Sequence, residues 1–241
     1  GAHEDLAVGT RQAGWYAQAS ASLLYERTFR LPGGFTGVKA QPAGDRLNAK
    51  RVDWRGGLKL GLTPNDTDEY ALVVSTQQGA KGNPPYTGSR PDQRVRYWRW
   101  PRWDKESVYL ISRTAPVWGS LLKGRLYYDH FENTLCAYDD ATYTTQSKKS
   151  SFTSYYDDPT YGGSLEWSLP TGDHNTVRAA AHGKYDLHRE HGAGDPESEV
   201  EDLTLSGSAE DTWRLGGPFT VVAGASYSNR RALSANKYVD G

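Results

Sequence analysis

The sequence predicts an all-β fold, a partial antiparallel up-and-down β-barrel that spans a membrane. Three observations predict it: polar and apolar residues alternate with a period of two, long and short connections follow each other in turn, and aromatic residues gather at the ends of the alternating segments. The 241 residues include 16 Tyr and 8 Trp but only 5 Phe. Tyr and Trp join an apolar ring to a polar tip, which suits an interface between lipid and water.

The alternation is clearest in residues 175–189. One set of side chains is apolar or small, at Val177, Ala179, Ala181, Gly183, Tyr185 and Leu187. The intervening positions carry the polar residues Arg178, His182, Lys184, Asp186 and His188. Because successive side chains of a strand face opposite sides of the sheet, this pattern predicts a strand with one apolar face. Similar alternation predicts about nine strands, near residues 14–26, 50–62, 68–78, 105–114, 120–133, 161–169, 175–189, 200–213 and 219–229.

The connections between these segments are long and short in turn. Residues 79–104 and 135–160 are long connections, whereas Thr63–Thr67 and Pro170–Asp173 are short. An outer-membrane barrel has short periplasmic turns and long external loops, and a soluble β-sandwich has no reason to separate loop lengths by end. Aromatic residues at or near strand ends are typical of the girdles of such barrels. They are Trp54, Tyr70, Trp118, Trp167, Trp213 and Phe219.

Composition limits the possible functions. Lys and Arg number 28 against 29 Asp and Glu, so net charge does not indicate a nucleic-acid partner. Cys136 is the single cysteine, which excludes an intrachain disulfide. No apolar run approaches the roughly 20 residues of a membrane-spanning helix. A low mean hydropathy remains compatible with a barrel, because only every second residue of its strands faces lipid.

The sequence predicts neither a catalytic site nor a metal site. It contains no Gly-x-Ser-x-Gly, His-Glu-x-x-His or phosphate-binding glycine loop. His182, His188 and His191, with Asp186, are the candidate metal ligands. In a strand, however, six residues separate His182 from His188 by about 20 Å, so the two cannot share an ion. We therefore expect no enzyme activity and no bound metal.

The strongest candidate for ligand binding lies in the connection 79–104, predicted as an external loop. Arginines alternate there with large aromatic residues, which offer fixed positive charge and rigid stacking surfaces to an anionic or aromatic ligand. Alternatively, this loop folds on itself and closes the mouth of the barrel. The predicted ligand-binding residues are Arg96, Tyr97, Trp98, Arg99, Trp100 and Trp103. Weaker candidates are Arg178, His182 and Lys184, which are predicted to face the barrel lumen.

Several motifs follow one another along the chain from about residue 14 onward. They are Leu58–Asn65 followed by Asp68–Leu72, Lys81–Pro85 within Gly79–Tyr86, Tyr97–Pro101 leading to Trp103–Lys105, and Arg125–Asp129 continuing to Tyr138–Tyr143. In these motifs and in their order, the chain resembles the barrel domain of TonB-dependent outer-membrane receptors, especially the ferric-siderophore type.

This resemblance implies a 22-stranded barrel in the bacterial outer membrane, plugged by a separate N-terminal domain. It also implies active import of a ferric siderophore or similar metal chelate, energised by the TonB complex. The partners would be the outer-membrane lipid bilayer, the receptor's own plug domain, the TonB complex and a siderophore-like ligand, with no nucleic acid and no cofactor. The haem-receptor motif Asn-Pro-Asp-Leu is absent.

The chain departs from the family in what it lacks. It contains no plug domain, no energy-coupling box and no closing strand with a terminal aromatic residue; it begins without a signal peptide and has no Met. We therefore expect residues 1–241 to be a fragment of the barrel domain. Two other classes stay open. A passive porin-like channel would have its signal peptide directly before the barrel, and a soluble carbohydrate-binding or adhesin-like β-domain would stay monomeric without detergent.

Overall fold

A computed structural model describes residues 1–88, 90, 93–116 and 119–236, which form one open antiparallel sheet of ten strands. Each strand pairs with the next one along the chain, so the predicted all-β, up-and-down, antiparallel topology is confirmed. Within the described ranges, no helix is long and apolar enough to cross a membrane. The strands are β1 Ala2–Arg11, β2 Trp15–Glu26, β3 Arg51–Leu62, β4 Glu69–Gly82, β5 Tyr97–Thr114, β6 Leu121–Tyr138, β7 Phe152–Pro170, β8 Asn175–Gly192, β9 Ser198–Gly216 and β10 Phe219–Asn236.

The structure has one strand more than the nine segments predicted, because β1 was missed. This strand pairs with β2 from Ala2 opposite Tyr25 to Arg11 opposite Tyr16. Its alternation is short, since only Leu6 and Val8 are large apolar residues and the segment begins with charged and polar side chains. Trp118 and residues 237–241, which entered the predictions from sequence, lie outside the described residues.

The two ends of the strands differ in how well the sequence predicted them. The short turns join the strands at one of their two ends, which we call the short-turn end. There the predicted and observed strand boundaries agree within three residues. At the opposite end of the strands, which we call the long-loop end, the strands continue further than predicted. β5 begins at residue 97 and not at 105, and β7 begins at 152 and not at 161. Both faces carry polar residues there, so the alternation disappears while the hydrogen-bonded ladder continues.

The connections keep the predicted alternation of length with one exception. Residues 193–197, which join β8 to β9 at the long-loop end, number only five, fewer than the six of the short turn 63–68. Residues 27–50, 83–96 and 139–151 connect strands at the long-loop end, and residues 63–68, 171–174 and 217–218 connect them at the short-turn end. In the β3–β4 turn, the side-chain oxygen of Asn65 accepts hydrogen bonds from the backbone amides of Thr67 (2.9 Å) and Asp68 (2.8 Å). Such a turn needs few residues because one side chain satisfies its backbone.

The sheet exposes its apolar side chains and buries its polar ones, the reverse of a soluble protein, and we call this arrangement inverted polarity. One face, the apolar face, carries large apolar side chains that are exposed, such as Leu126 (63% exposed) and Tyr227 (71%). Its residues align across strands; Leu60, Leu72, Leu110 and Leu126, for example, are successive partners. The opposite, polar face buries hydrophilic residues, and Asp53 and Ser107 are each only 4% exposed. Soluble domains bury apolar side chains and expose charged ones.

Aromatic residues border the apolar face at both ends. Toward the long loops, the ring centroids of Tyr128 and Tyr161 lie 5.0 Å apart, and those of Tyr161 and Tyr185 lie 6.4 Å apart. We call these three residues the tyrosine row. Toward the short turns, the bordering residues are Trp15, Tyr70, Trp167 and Trp213. The apolar band between the two borders has the form of a membrane-facing surface.

Two tyrosines of the polar face lie flat across glycines of the neighbouring strand. Tyr16 is paired with Gly61, and Tyr127 with Gly162. A Cβ added at either glycine would overlap the tyrosine ring. An aromatic ring that covers a glycine on an adjacent strand protects the backbone there and fixes the register of the pair.

We predict that Gly162→Ala destabilises the sheet, because the new methyl group displaces the Tyr127 ring. The expected loss is about 1–3 kcal/mol, the usual range for overpacking. Thermal unfolding of the detergent-purified protein, followed by circular dichroism, measures it. The matched control is Gly207→Ala, since the atom nearest to an added Cβ at Gly207 is a backbone oxygen 3.8 Å away. Equal losses in the two variants would contradict the explanation.

Candidate ligand-binding site

Five aromatic rings line the polar face at the long-loop end. Their centroids are 6.2 Å apart for Trp98–Trp100, 5.9 Å for Trp100–Trp103, 4.9 Å for Trp103–Phe131 and 6.3 Å for Trp98–Phe152. All four contacts are edge-to-face, an arrangement that aromatic pairs prefer. We call these five residues the aromatic wall. Their mutual packing holds the rings in fixed orientations and gives a rigid surface.

A bulge in β5 places three tryptophans on one face. The ladder between β5 and β6 shifts register between Arg99 and Arg102, so β5 contains one more residue than β6 there. An extra residue reverses the inside–outside alternation on one side of the bulge. As a result Trp98, Trp100 and Trp103 share the polar face, although unbroken alternation would place Trp100 and Trp103 on opposite faces.

Two cations lie against the aromatic wall. The Lys81 Nζ is 3.1 Å from the ring centroid of Trp103 and 5.0 Å from that of Trp100. The guanidinium of Arg96 is 4.5 Å from the ring centroid of Trp98. A cation over an aromatic face is attracted by the ring quadrupole, more strongly where water is excluded. The wall therefore presents ring surfaces and positive charge at the same place.

A cavity of about 430 Å³ adjoins the wall on the polar face. Phe131 belongs both to the wall and to this cavity, which connects the two. The cavity is lined by Lys105, Tyr109, Arg125, Tyr127, Asp129, Phe131, Asp158, Thr160 and Lys184. Within it, Asp129 accepts a hydrogen bond from the Tyr109 hydroxyl at 2.9 Å and lies 3.4 Å from the Lys105 Nζ. Three cationic and two acidic side chains line the cavity.

Five of the six predicted ligand-binding residues are not in a loop, and for them that part of the prediction was wrong. Residues 97–103 belong to β5, and only Arg96 precedes the strand. The bulge removes the period-two alternation from which a strand would have been predicted. The structure brings Trp98, Trp100 and Trp103 together with Arg96, whereas Tyr97 and Arg99 point to the opposite side.

Tyr97 and Arg99 hold the connection 139–151 against the sheet. The Tyr143 ring lies 6.0 Å from the ring of Tyr97, and the guanidinium of Arg99 lies 4.0 Å from the Tyr143 centroid. Tyr143 has a positive φ of 57°, and burial raises the pKa of its hydroxyl. These two predicted ligand-binding residues therefore have a structural contact that the sequence did not indicate.

The three weaker candidates lie on the polar face of β8. Arg178 pairs with Glu210 at 2.8 Å, and the His182 Nε2 lies 3.2 Å from the Tyr127 hydroxyl. Lys184 pairs with Asp186 at 2.8 Å and also lines the 430 Å³ cavity. Of the three, only Lys184 belongs to the surroundings of the aromatic wall.

Sequence analysis missed Lys81, Phe131 and Phe152. Lys81 reaches the wall because β4 continues to Gly82, beyond its predicted end at residue 78. Phe131 and Phe152 belong to β6 and β7, and only the register of these strands brings them beside the tryptophans. A recognisable signal existed for Lys81 alone, since it continues the odd-numbered positions that face the polar side of β4.

Asn48 joins the connection 27–50 to the strands that carry the wall. Its Nδ2 donates hydrogen bonds to the carbonyl oxygens of Asn83 (2.9 Å) and Trp98 (2.8 Å), and its Oδ1 accepts one from Arg99 (2.9 Å). Asn48 has a φ of 51°, a conformation that asparagine tolerates better than most residues. A Cβ at Gly82 would overlap the backbone of Asn48, so glycine permits this close approach.

Asp139 organises the connection 139–151. Its carboxylate accepts hydrogen bonds from the Ser151 hydroxyl at 2.6 Å and from the backbone amides of Ser147 (2.8 Å) and Lys148 (2.9 Å). The Ser151 bond, followed by the two amide bonds, holds the pKa of Asp139 far below its usual range. The ionised carboxylate is therefore the form that stabilises this loop.

Comparisons with known proteins show the fold. No protein-family model and no curated protein sequence matches the chain. A solved structure described as the copper transporter OprC matches 94% of this chain with a TM-score of 0.76 and 13% sequence identity. The match covers 34% of that protein's chain. The ten-stranded open sheet is thus similar to a portion of a transporter barrel, and so low an identity establishes nothing beyond the fold.

We predict that Asp139→Ala loosens the connection 139–151, because three hydrogen-bond donors lose their acceptor. Trypsin should cleave this variant after Lys148 or Lys149 several times faster than the native protein. Asp140→Ala is the control, since it leaves the three bonds to Asp139 in place.

Because the pKa of Asp139 is lowered, its contribution to stability is fully present above about pH 4 and declines only as the pH falls further. Amide exchange at Ser147 should accordingly stay slow at pH 5, and fast exchange there would contradict this role.

Proposed function

We propose that this chain is part of the barrel domain of a TonB-dependent receptor that imports a ferric siderophore or a similar metal chelate. The observation that carries the proposal is the aromatic wall, with Lys81 and Arg96, on the polar face at the long-loop end. In a barrel, this face lines the lumen and this end opens to the outside. A rigid surface of rings and cations at the entrance is suited to capture a ligand before transport.

The inverted polarity of the sheet supports a location in the bacterial outer membrane. Exposed leucines such as Leu110 and Leu126 would face lipid, and the tyrosine row would lie at its outer boundary. Edges that remain unpaired are not tolerated in lipid, because bare backbone groups find no partner there. β1 and β10 are the two edges of the described sheet. We therefore expect further strands to close the barrel.

The remaining partners follow from the family resemblance and from barrel size. The match to OprC covers about a third of that chain, consistent with a barrel of many more strands than ten. A wide barrel needs a plug to prevent leakage, and the charged polar face around Arg178, His182 and Lys184 offers a surface for such a plug domain. Import against a gradient requires energy, for which we propose the TonB complex.

The chemistry of the wall favours a complexed metal over a bare ion. Bare copper binds to thiolate, thioether, imidazole or amide donors, whereas the wall offers ring faces and cations. An anionic chelate with aromatic groups can stack on Trp100 and Trp103 while its charge is balanced by Lys81. OprC is described as a copper transporter. Its cargo is therefore a metal, as we propose for this chain, although the proposed metal is a different one.

Two rival functions make different predictions. A passive porin-like channel needs no fixed recognition surface and would conduct without TonB. A soluble carbohydrate-binding or adhesin-like domain also uses aromatic platforms, but it would not expose Leu60, Leu72, Leu110 and Leu126 in one continuous row. The inverted faces favour a membrane protein, and the aromatic wall favours a receptor over a pore.

We predict that Trp103→Ala weakens binding of a ferric tris-catecholate complex to the complete protein in detergent. Loss of the Trp103 ring should raise Kd about tenfold, as expected when an aromatic contact worth about 1.4 kcal/mol is removed. Isothermal titration calorimetry measures this change. Trp167→Ala is the matched control, because Trp167 lies on the apolar face. If both variants bind like the native protein, the wall is not the binding site.

Uptake of radiolabelled iron from the same complex separates a receptor from a pore. Cells that express the complete protein should accumulate iron only when TonB is present, and the Trp103→Ala variant should accumulate less. Equal uptake with and without TonB would favour the passive channel and contradict the proposal.

A further inference from the structure

A cluster of charged residues lies on the apolar face beyond the tyrosine row, toward the long loops. Five carboxylates share two arginines there. Arg102 contacts Asp104 and Glu132, and Arg189 contacts Asp157, Glu197 and Glu199. Negative charge is in excess among these residues. Such an excess attracts a further cation.

Three side chains in this cluster have the geometry of a metal site. One ligand atom each from His130, Glu132 and Asp157 can be chosen so that all three lie within 4.8 Å of one another. The His130 Nε2 is 2.7 Å from the Asp157 Oδ1, and Glu132 is the direct cross-strand partner of Asp157. We propose that these three residues bind one divalent transition-metal ion and join β6 to β7.

The donor set fits this class of ion. One imidazole and two carboxylates provide three protein ligands and leave coordination positions open, as in zinc sites with exchangeable ligands. The two carboxylates balance the charge of a divalent ion when the imidazole is neutral. His130 is less exposed than the carboxylates, with 22% of its side chain accessible against 30% for Glu132 and 41% for Asp157. An ion can therefore reach the site from solution.

The neighbouring arginines do not prevent metal binding, because each has a second acidic partner. Arg102 contacts Asp104 at 2.9 Å through its Nε, in addition to Glu132. Arg189 lies closer to Glu199 (3.2 Å) than to Asp157 (3.8 Å). When Glu132 and Asp157 bind an ion, Arg102 still pairs with Asp104 and Arg189 still pairs with Glu199, so neither arginine is left unpaired.

The proposed metal site is separate from the aromatic wall. His130 and Phe131 are consecutive in β6, so their side chains face opposite sides of the sheet. His130 stacks on Tyr128 of the tyrosine row, with ring centroids 6.2 Å apart. The metal therefore does not belong to the ligand path, and its binding does not depend on the cargo. If the barrel stands in a membrane as proposed, the ion lies at the level of the lipid headgroups.

Zinc binding to the complete protein in detergent tests this proposal. After removal of metals with a chelator, equilibrium dialysis against Zn²⁺ gives the number of bound ions and their affinity. The native protein should bind one ion more than His130→Ala, and Asp157→Asn should weaken that ion's binding tenfold or more. His174→Ala, in the β7–β8 turn at the short-turn end, should leave the number unchanged. Circular dichroism confirms that each variant is folded.

X-ray absorption spectroscopy identifies the ligands. The zinc bound to the native protein should show one imidazole among oxygen ligands, and that imidazole signal should be lost in His130→Ala. Equal zinc binding by the native protein and His130→Ala would overturn the proposal. Chelate binding is measured separately through Trp103→Ala, so failure of the metal site leaves the proposed import function intact, and the reverse also holds.

Discussion

The fold depends on one constraint: a sheet one layer thick, with side chains alternating between two faces, has to suit a different environment on each side. Every backbone group inside the ladder is paired with a neighbouring strand, so the side chains alone determine what each face contacts. Leu126 and Tyr227 remain exposed on one face, while Asp53 and Ser107 are buried on the other. In water this arrangement would forfeit the burial of apolar surface, worth about 25 cal/mol per Å². Lipid against the apolar face removes that conflict.

Local departures from the alternation create the two surfaces for which we propose binding functions. The bulge between Arg99 and Arg102 turns three tryptophans onto the polar face, and the cross-strand register brings Lys81 against them. Beyond the tyrosine row, the same face that is apolar in its middle becomes charged and brings His130 next to Asp157. The regular part of the sheet is thus the scaffold, and both proposed binding sites lie at its long-loop end.

The sequence was sufficient to predict the regularly alternating strands and their topology. It was insufficient to predict β1, the strand extensions at the long-loop end and the contacts between strands. Apolar and polar residues alternate from Val177 to Leu187 with Ala180 as the one exception, and Pro and Gly mark the short turns, so the topology and the short-turn strand ends followed from local patterns. β1 was missed because Leu6 and Val8 are its only large apolar residues. The extension of β5 to Tyr97 was missed because a bulge and two polar faces remove the alternation. Lys81, Phe131 and the pair of His130 with Asp157 depend on register between strands, which no local pattern records.

Spin labelling tests the inverted polarity most directly. Single cysteines at Ala179, Ala180, Ala181, His182 and Gly183 of β8, introduced into a Cys136→Ser background of the complete protein in lipid bilayers, each carry one nitroxide label. Collision with oxygen, which concentrates in lipid, should be high at positions 179, 181 and 183 and low at 180 and 182. At positions 179, 181 and 183, the label should collide with a water-soluble nickel complex no more often than with oxygen. Equal access of the nickel complex to all five positions, or a reversed alternation, would contradict the account.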